Sequence, residues 1–153
     1  MRYRMLVLFL VCLLLLVGCT ATPAELPPLT EEVAVYETAD YRLTYPAVFT
    51  LTREAEDAVY FTAEGRTMVF SLTREENPYG LLSVEGYCDA AGIYDGVISL
   101  DTHAFAVEKH LPDMLSGYFV YAFSQEELYL LEYNYGGTEE ERALASLFEI
   151  TIL

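Results

Sequence analysis

A chain of 153 residues with 24 acidic against 8 basic side chains has room for one modest domain and carries a net charge of −16. Such a surface repels phosphate backbones, which excludes nucleic-acid binding. Tyr, Phe, Val and Leu recur throughout Val33 to Leu153, which excludes low-hydrophobicity disorder for the body of the chain. In chain order, the first element is a leader. Arg2 and Arg4 form a basic start, and Met5 to Val17 is an apolar stretch too short to span a ~30 Å hydrocarbon core comfortably. Loss of residues 1–18 leaves a mature chain of 135 residues and, with Arg2 and Arg4 gone, deepens the net charge to −18.

The stretch ends in Leu16-Val17-Gly18-Cys19, which resembles the lipobox of bacterial lipoprotein signal peptides. The resemblance implies that the Cys19 sulfur takes a diacylglyceryl group and that the bond between Gly18 and Cys19 is cut. It further implies that Cys19 becomes the lipidated amino terminus, on the extracytoplasmic face of a cell membrane. Small Gly18 leaves a peptidase room to reach that bond. One acyl chain gives marginal binding at roughly 0.8 kcal/mol per buried methylene, whereas two on one sulfur hold firmly. The alternative is an ordinary secretory signal whose cut site happens to contain Cys. Cys12 leaves with the leader and Cys19 carries lipid, so Cys88 is alone in the domain and no intradomain disulfide is available. No basic residue or histidine lies close in sequence to lower its thiol pKa, and Cys88 therefore reads as a small buried apolar residue.

Residues 19–32 follow as the lipidated cysteine and a tether. Pro23, Pro27 and Pro28 with intervening Thr and Glu show no periodicity and read as a semi-rigid spacer. At ~3.1 Å per residue, residues 20–32 reach at most about 40 Å. Residues 33–153 form a single domain. Tyr41 to Tyr45 and Val48 to Thr52 predict strand, bend, strand around Pro46. Val59 to Thr62 and Met68 to Leu72 predict a hairpin through Glu64-Gly65-Arg66. Asn77-Pro78-Tyr79-Gly80 breaks the sheet pattern. Ser83 then caps a helix to about Ala91, which Gly92 ends. Val97 to Leu100 and Ala104 to Glu108 predict two strands, and Tyr118 to Phe123 with Leu128 to Tyr135 a longer hairpin. Thr138 with Glu141 is a capping box, Leu144, Leu147 and Phe148 make one apolar face, and Ile150 to Leu153 close as an edge strand.

The order predicts an α+β domain: an antiparallel sheet of about six strands with two helices packed on it. Tyr41-Arg42-Leu43-Thr44-Tyr45-Pro46, Ser83-Val84-Glu85-Gly86-Tyr87, and the long hairpin followed by Glu141 to Ile152 give this order a likeness to the PsbP-like fold. That domain resembles those of many small bacterial lipoproteins. The resemblance implies adaptor or binding roles and supplies no catalytic residues.

His103 and His110, with Asp101 and Glu108, are the one cluster that suggests metal or acid-base chemistry. Their spacing fits no closed zinc motif, and Pro112 denies His110 a helical face. Cys88 with His103 could supply nucleophile and base, without a local signature for it. Gly136-Gly137 precedes acidic residues that oppose a phosphate. The acidic clusters at Glu54-Glu56-Asp57, Glu75-Glu76, Glu126-Glu127 and Glu139 to Glu141 lack the alternation of a calcium loop and read as solvated faces. Thirteen Tyr with no Trp is the remaining oddity. Tyr129, Leu131, Tyr133 and Tyr135 share one strand face, and Phe119, Tyr121 and Phe123 share one on the preceding arm. The tyrosines are either core or a partner surface, with Tyr129, Tyr133 and Tyr135 as the candidate contacts.

The sequence reading is thus a non-enzymatic, membrane-anchored lipoprotein without a cofactor or metal, whose partners are the membrane through diacylglyceryl Cys19 and an envelope protein, peptide or other ligand. Its alternative is a small extracytoplasmic hydrolase or metal-dependent enzyme using His103, Asp101 and Cys88.

Overall fold

A computed structural model describes residues 26–109 and 116–153. The expectations on Cys12, Gly18, Cys19 and His110 lie outside the described residues. The described chain is α+β and its sheets are antiparallel throughout. Its ten described strands are divided between two sheets, in place of the one sheet of about six that the sequence pattern gave. Strands β1 (Val33–Glu37), β2 (Tyr41–Pro46) and β10 (Glu149–Ile152) make a small sheet in the order β1-β2-β10. Strands β3 (Phe49–Ala55), β4 (Ala58–Ala63), β5 (Val69–Glu76), β6 (Val97–Asp101), β7 (Ala104–Lys109), β8 (Ser116–Phe123) and β9 (Glu127–Tyr135) make a seven-stranded sheet in the order β3-β4-β5-β9-β8-β7-β6.

The bend after Pro46 is where the chain leaves the small sheet for the large one. β1 escapes the sequence reading because its larger apolar side chains point outward. Val33 and Val35 are 50% and 56% exposed, while Ala34 and Tyr36 turn inward against the core. The hairpins fall at the turns expected. Helix α1 (Val84–Ala91) is capped by Ser83, whose Oγ accepts the Gly86 N–H at 3.1 Å, and ended by Gly92 at φ +70°. Thr138 and Glu141 form the reciprocal capping box of α2 (Glu139–Ala143). That helix is one short turn that tightens into a 3-10 turn, Leu144–Leu147. The tightened turn drops Leu144, Ala145 and Phe148 into the core.

The large sheet has elements packed on part of each face. The small sheet and the α2 segment lie on one, burying an aromatic core of Tyr45, Phe49, Phe61, Phe70, Tyr133 and Phe148; the Phe61 and Phe70 rings stack at 4.3 Å. Helix α1 lies on the other face at the β6-β7-β8 end, where Tyr87 and Cys88 pack with Phe105, Val107, Phe123 and Leu128.

Register decides the tyrosine question. Tyr133 sits opposite Tyr118 and Tyr129 opposite Ala122, so the inward face of β9 continues through Tyr118, Val120 and Ala122. Phe119, Tyr121 and Phe123 point to the opposite face of the sheet. Tyr129, Tyr133 and Tyr135 are 0%, 0% and 1% exposed. Of the two readings, core or partner surface, burial selects core and corrects the candidate partner contacts at Tyr129, Tyr133 and Tyr135: the small sheet and α2 segment cover them.

The phenols of these three tyrosines each reach a polar acceptor at the margin of the core. The hydroxyl of Tyr133 donates to the Glu141 carbonyl at 2.8 Å, that of Tyr135 to Glu108 at 2.8 Å and that of Tyr129 to Glu127 at 2.6 Å. An acid-rich surface and a tyrosine-rich core are therefore complementary parts of one packing arrangement. The proline-containing tether is partly docked. Leu29 packs against the core, the Arg66 guanidinium donates to the Pro27 carbonyl, and Ala47 N–H donates to the Glu32 carbonyl at 2.8 Å. The described part of the tether thus runs along the domain instead of standing away from it.

Candidate functional site

The inner face of the large sheet is uneven. On β4, β5 and β9 it carries Phe61, Phe70, Tyr129 and Tyr133; on β7 and β8 it carries Ala104, Ala106, Val120 and Ala122. The small sheet, narrow at three strands, sits over the aromatic half. Beyond its β10 edge the low, small-residue half opens as a groove of about 720 Å³, within the usual range for ligand sites. Ala104, Val120 and Ala122 form its floor. One wall is β10 itself, and the opposite rim carries Leu81, Leu100, Asp101 and His103. Leu81 and Leu100 on that rim are 50% and 46% exposed.

Asn77 shapes the end of this groove. It is 6% exposed, and its Nδ2 donates to the Gly80 and Ser124 carbonyls, both at 2.7 Å; its Oδ1 accepts the Tyr79 N–H at 3.1 Å. Its backbone N–H donates to the Glu126 carbonyl at 2.8 Å. The loop carrying Leu81 is thereby clamped to the β8-β9 turn, whose Ser124 and Gln125 also line the groove. The sequence pattern marks Asn77 only as a sheet breaker; its partner Ser124 is 47 residues away.

The structure brings two of the three residues of the enzymatic alternative to the groove and places the third, Cys88, outside its lining. Asp101 and His103 both lie at the groove, on the β6-β7 turn. Asp101 Oδ1 accepts the Thr102 N–H at 2.6 Å, and the His103 ring sits edge-on to Phe123 at 5.6 Å. Cys88 belongs to the cluster beneath α1. Burial pushes its thiol pKa up, opposite to what a nucleophilic thiolate needs. Glu108 is occupied structurally: it accepts Tyr135 and a bidentate pair from Arg142, each at 2.8 Å. Among the described residues no three His, Cys, Asp or Glu side chains are grouped to hold a metal ion.

A smaller cavity of about 100 Å³ lies across the molecule around Arg74. Arg74 faces Asp40 at 2.9 Å, Asp57 at 3.5 Å and Glu127 at 3.7 Å, so its charge is already matched within the chain. Tyr36 donates to Glu54 at 2.6 Å on its rim. The chemistry there is that of a closed ion-pair network, whereas the groove beside β10 presents uncommitted apolar surface. No protein-family model matches this chain, and no curated protein sequence does.

Proposed function

We propose that the chain is a membrane-anchored extracytoplasmic lipoprotein whose single PsbP-like domain is a non-enzymatic binding module for an envelope protein or peptide. The observation that carries the binding reading is the groove between β10 and the Ala104-Ala122 floor, with two exposed leucines on its rim. The anchor reading rests on Arg2, Arg4, the apolar run and Leu16-Val17-Gly18-Cys19. Docking of the tether supports a membrane-proximal role. Seven peptide steps separate Cys19 from Leu26, about 25 Å at full extension, and Leu26 already touches the β4-β5 turn at Gly65. A domain held that closely meets partners at the bilayer surface, and its acidic faces keep it from adhering to anionic lipid.

Mass spectrometry of the mature amino terminus, with membrane fractionation of wild type and Cys19→Ala, tests the anchor. The expected result is a diacylglyceryl-modified Cys19 and release of the variant from membranes. An unmodified Cys19, or equal solubility of both proteins, would overturn it.

A further inference from the structure

We propose that the groove binds an extended peptide segment, apolar at alternate positions and flanked by Lys or Arg, which adds to the small sheet as a strand along β10; this rests on the binding-module reading above and specifies its partner chemistry. The main chain supplies the first argument. Among the described residues β10 has a ladder partner on one side only, β2. Its register with β2 is regular from Glu149 opposite Thr44 to Ile152 opposite Tyr41, and Leu153 N–H donates to the Asp40 carbonyl at 2.9 Å. In an antiparallel strand the N–H and C=O of one residue point to the same side and alternate along the chain. With Leu153 facing β2, Thr151 and Glu149 face it too. Ile150 and Ile152 therefore turn their N–H and C=O groups toward the groove, a short template for strand addition.

The floor supplies the second argument. A strand laid beside β10 directs every second side chain inward, over Ala104, Val120 and Ala122. Paired alanines at positions 104 and 122 leave depth there for branched or larger apolar groups, and Leu81 and Leu100 extend that apolar surface at the rim. Charge supplies the third. Among the described residues the groove is lined by Asp101 and Glu149 and by no Lys or Arg, on a chain with three acidic residues for each basic one. A segment ending in basic residues is attracted to it and an acidic one repelled.

The test uses the full chain in detergent micelles. Amide exchange by NMR is followed at Glu149 to Ile152, with and without peptides selected from a displayed library of short random sequences. The expected outcome is enrichment of alternating apolar sequences with Lys or Arg at their ends. Exchange at Ile150 and Ile152 should be fast in the free chain and slow at least about tenfold on peptide addition, with Glu149 and Thr151 protected throughout. N-methylation of the peptide at the residues that pair with β10 should weaken binding about tenfold or more, and methylation in the alternate register should leave it nearly unchanged. Glu149→Lys with Asp101→Asn, both exposed positions, should shift the selected ends from basic toward acidic.

No enrichment, equal sensitivity to both methylation registers, or binding without a change at Ile150 and Ile152 would overturn the proposal. So would protection of these amides in the free chain: at all concentrations it would mean a segment of the same chain fills the groove, and only at high concentration a second copy. Peptide selection is independent of Cys19. Failure here with a lipidated Cys19 removes only strand addition, whereas a soluble wild type that still selects peptides removes only the anchor.

Discussion

Replacing Asn77 by Ala removes a clamp whose cost follows from its geometry. Three side-chain hydrogen bonds are lost, those to the Gly80 and Ser124 carbonyls and that from the Tyr79 N–H, while the backbone bond to Glu126 survives. At about 1 kcal/mol net for each bond, the loss is about 3 kcal/mol, and carbonyls left without water push it higher. For a domain of this size each kcal/mol moves the melting midpoint by roughly 3–5 °C, so a fall of about 10–15 °C is expected. Urea unfolding followed by circular dichroism measures the free energy directly. Asn77→Asp separates the donors from the acceptor: it keeps Oδ1 for Tyr79 but turns a carboxylate toward two carbonyls. Burial against two carbonyls holds its pKa above the unfolded value, so it should be least stable when ionised and partly recover as pH falls toward about 4. A loss under about 1 kcal/mol for Asn77→Ala, at an unchanged urea slope, would refute the assignment of Asn77 as the clamp. Because Ser124 and Leu81 both line the groove, the same variant should weaken peptide binding before it unfolds the domain.

Glu108→Ala is expected to cost about 2 kcal/mol, chiefly from the bond of buried Tyr135 to a charged acceptor, with a small addition from half-exposed Arg142; Glu108→Gln should restore roughly half in the same urea titration, and equal losses for both would refute it. Stability should fall on the alkaline side. Burial raises the pKa of Tyr87 and Tyr135 to about 12, and burial raises Tyr129 and Tyr133 further. The folded state thus keeps protons that the unfolded chain releases above about pH 10. The stabilisation is complete below pH 10 and is lost as pH rises toward 12, so tyrosinate absorbance should appear together with loss of circular dichroism; full ionisation of a still-folded chain would contradict it. Cys88 should react with an aromatic disulfide reagent at pH 8 at least about a hundredfold more slowly in the native protein than in denaturant, and equal rates would show that its site under α1 is open.

Local signals were legible in the sequence. Ser83 and Gly92 bound α1, and Thr138 with Glu141 starts α2. Each of these motifs depends on atoms within four residues of one another, and the hairpin turns and alternating strands are similarly short-range. Composition likewise gave the expectation of no nucleic-acid binding, and the pattern from Arg2 to Cys19 that of an anchor. What the tertiary structure alone decided is how strands are shared between layers. The bend at Pro46 hides the change of sheet. β1 is missed because its valines face outward, and the tyrosine strip becomes core only once β1, β2 and β10 cover it. The groove has no local signature at all, since its lining comes from segments as distant as Leu81, Leu100, Val120 and Ile150. It exists because a three-stranded sheet is too narrow to cover a seven-stranded one, and the uncovered half happens to be floored with alanine. That mismatch of widths is a property of strand pairing across distant segments, which the order of residues along the chain does not by itself express.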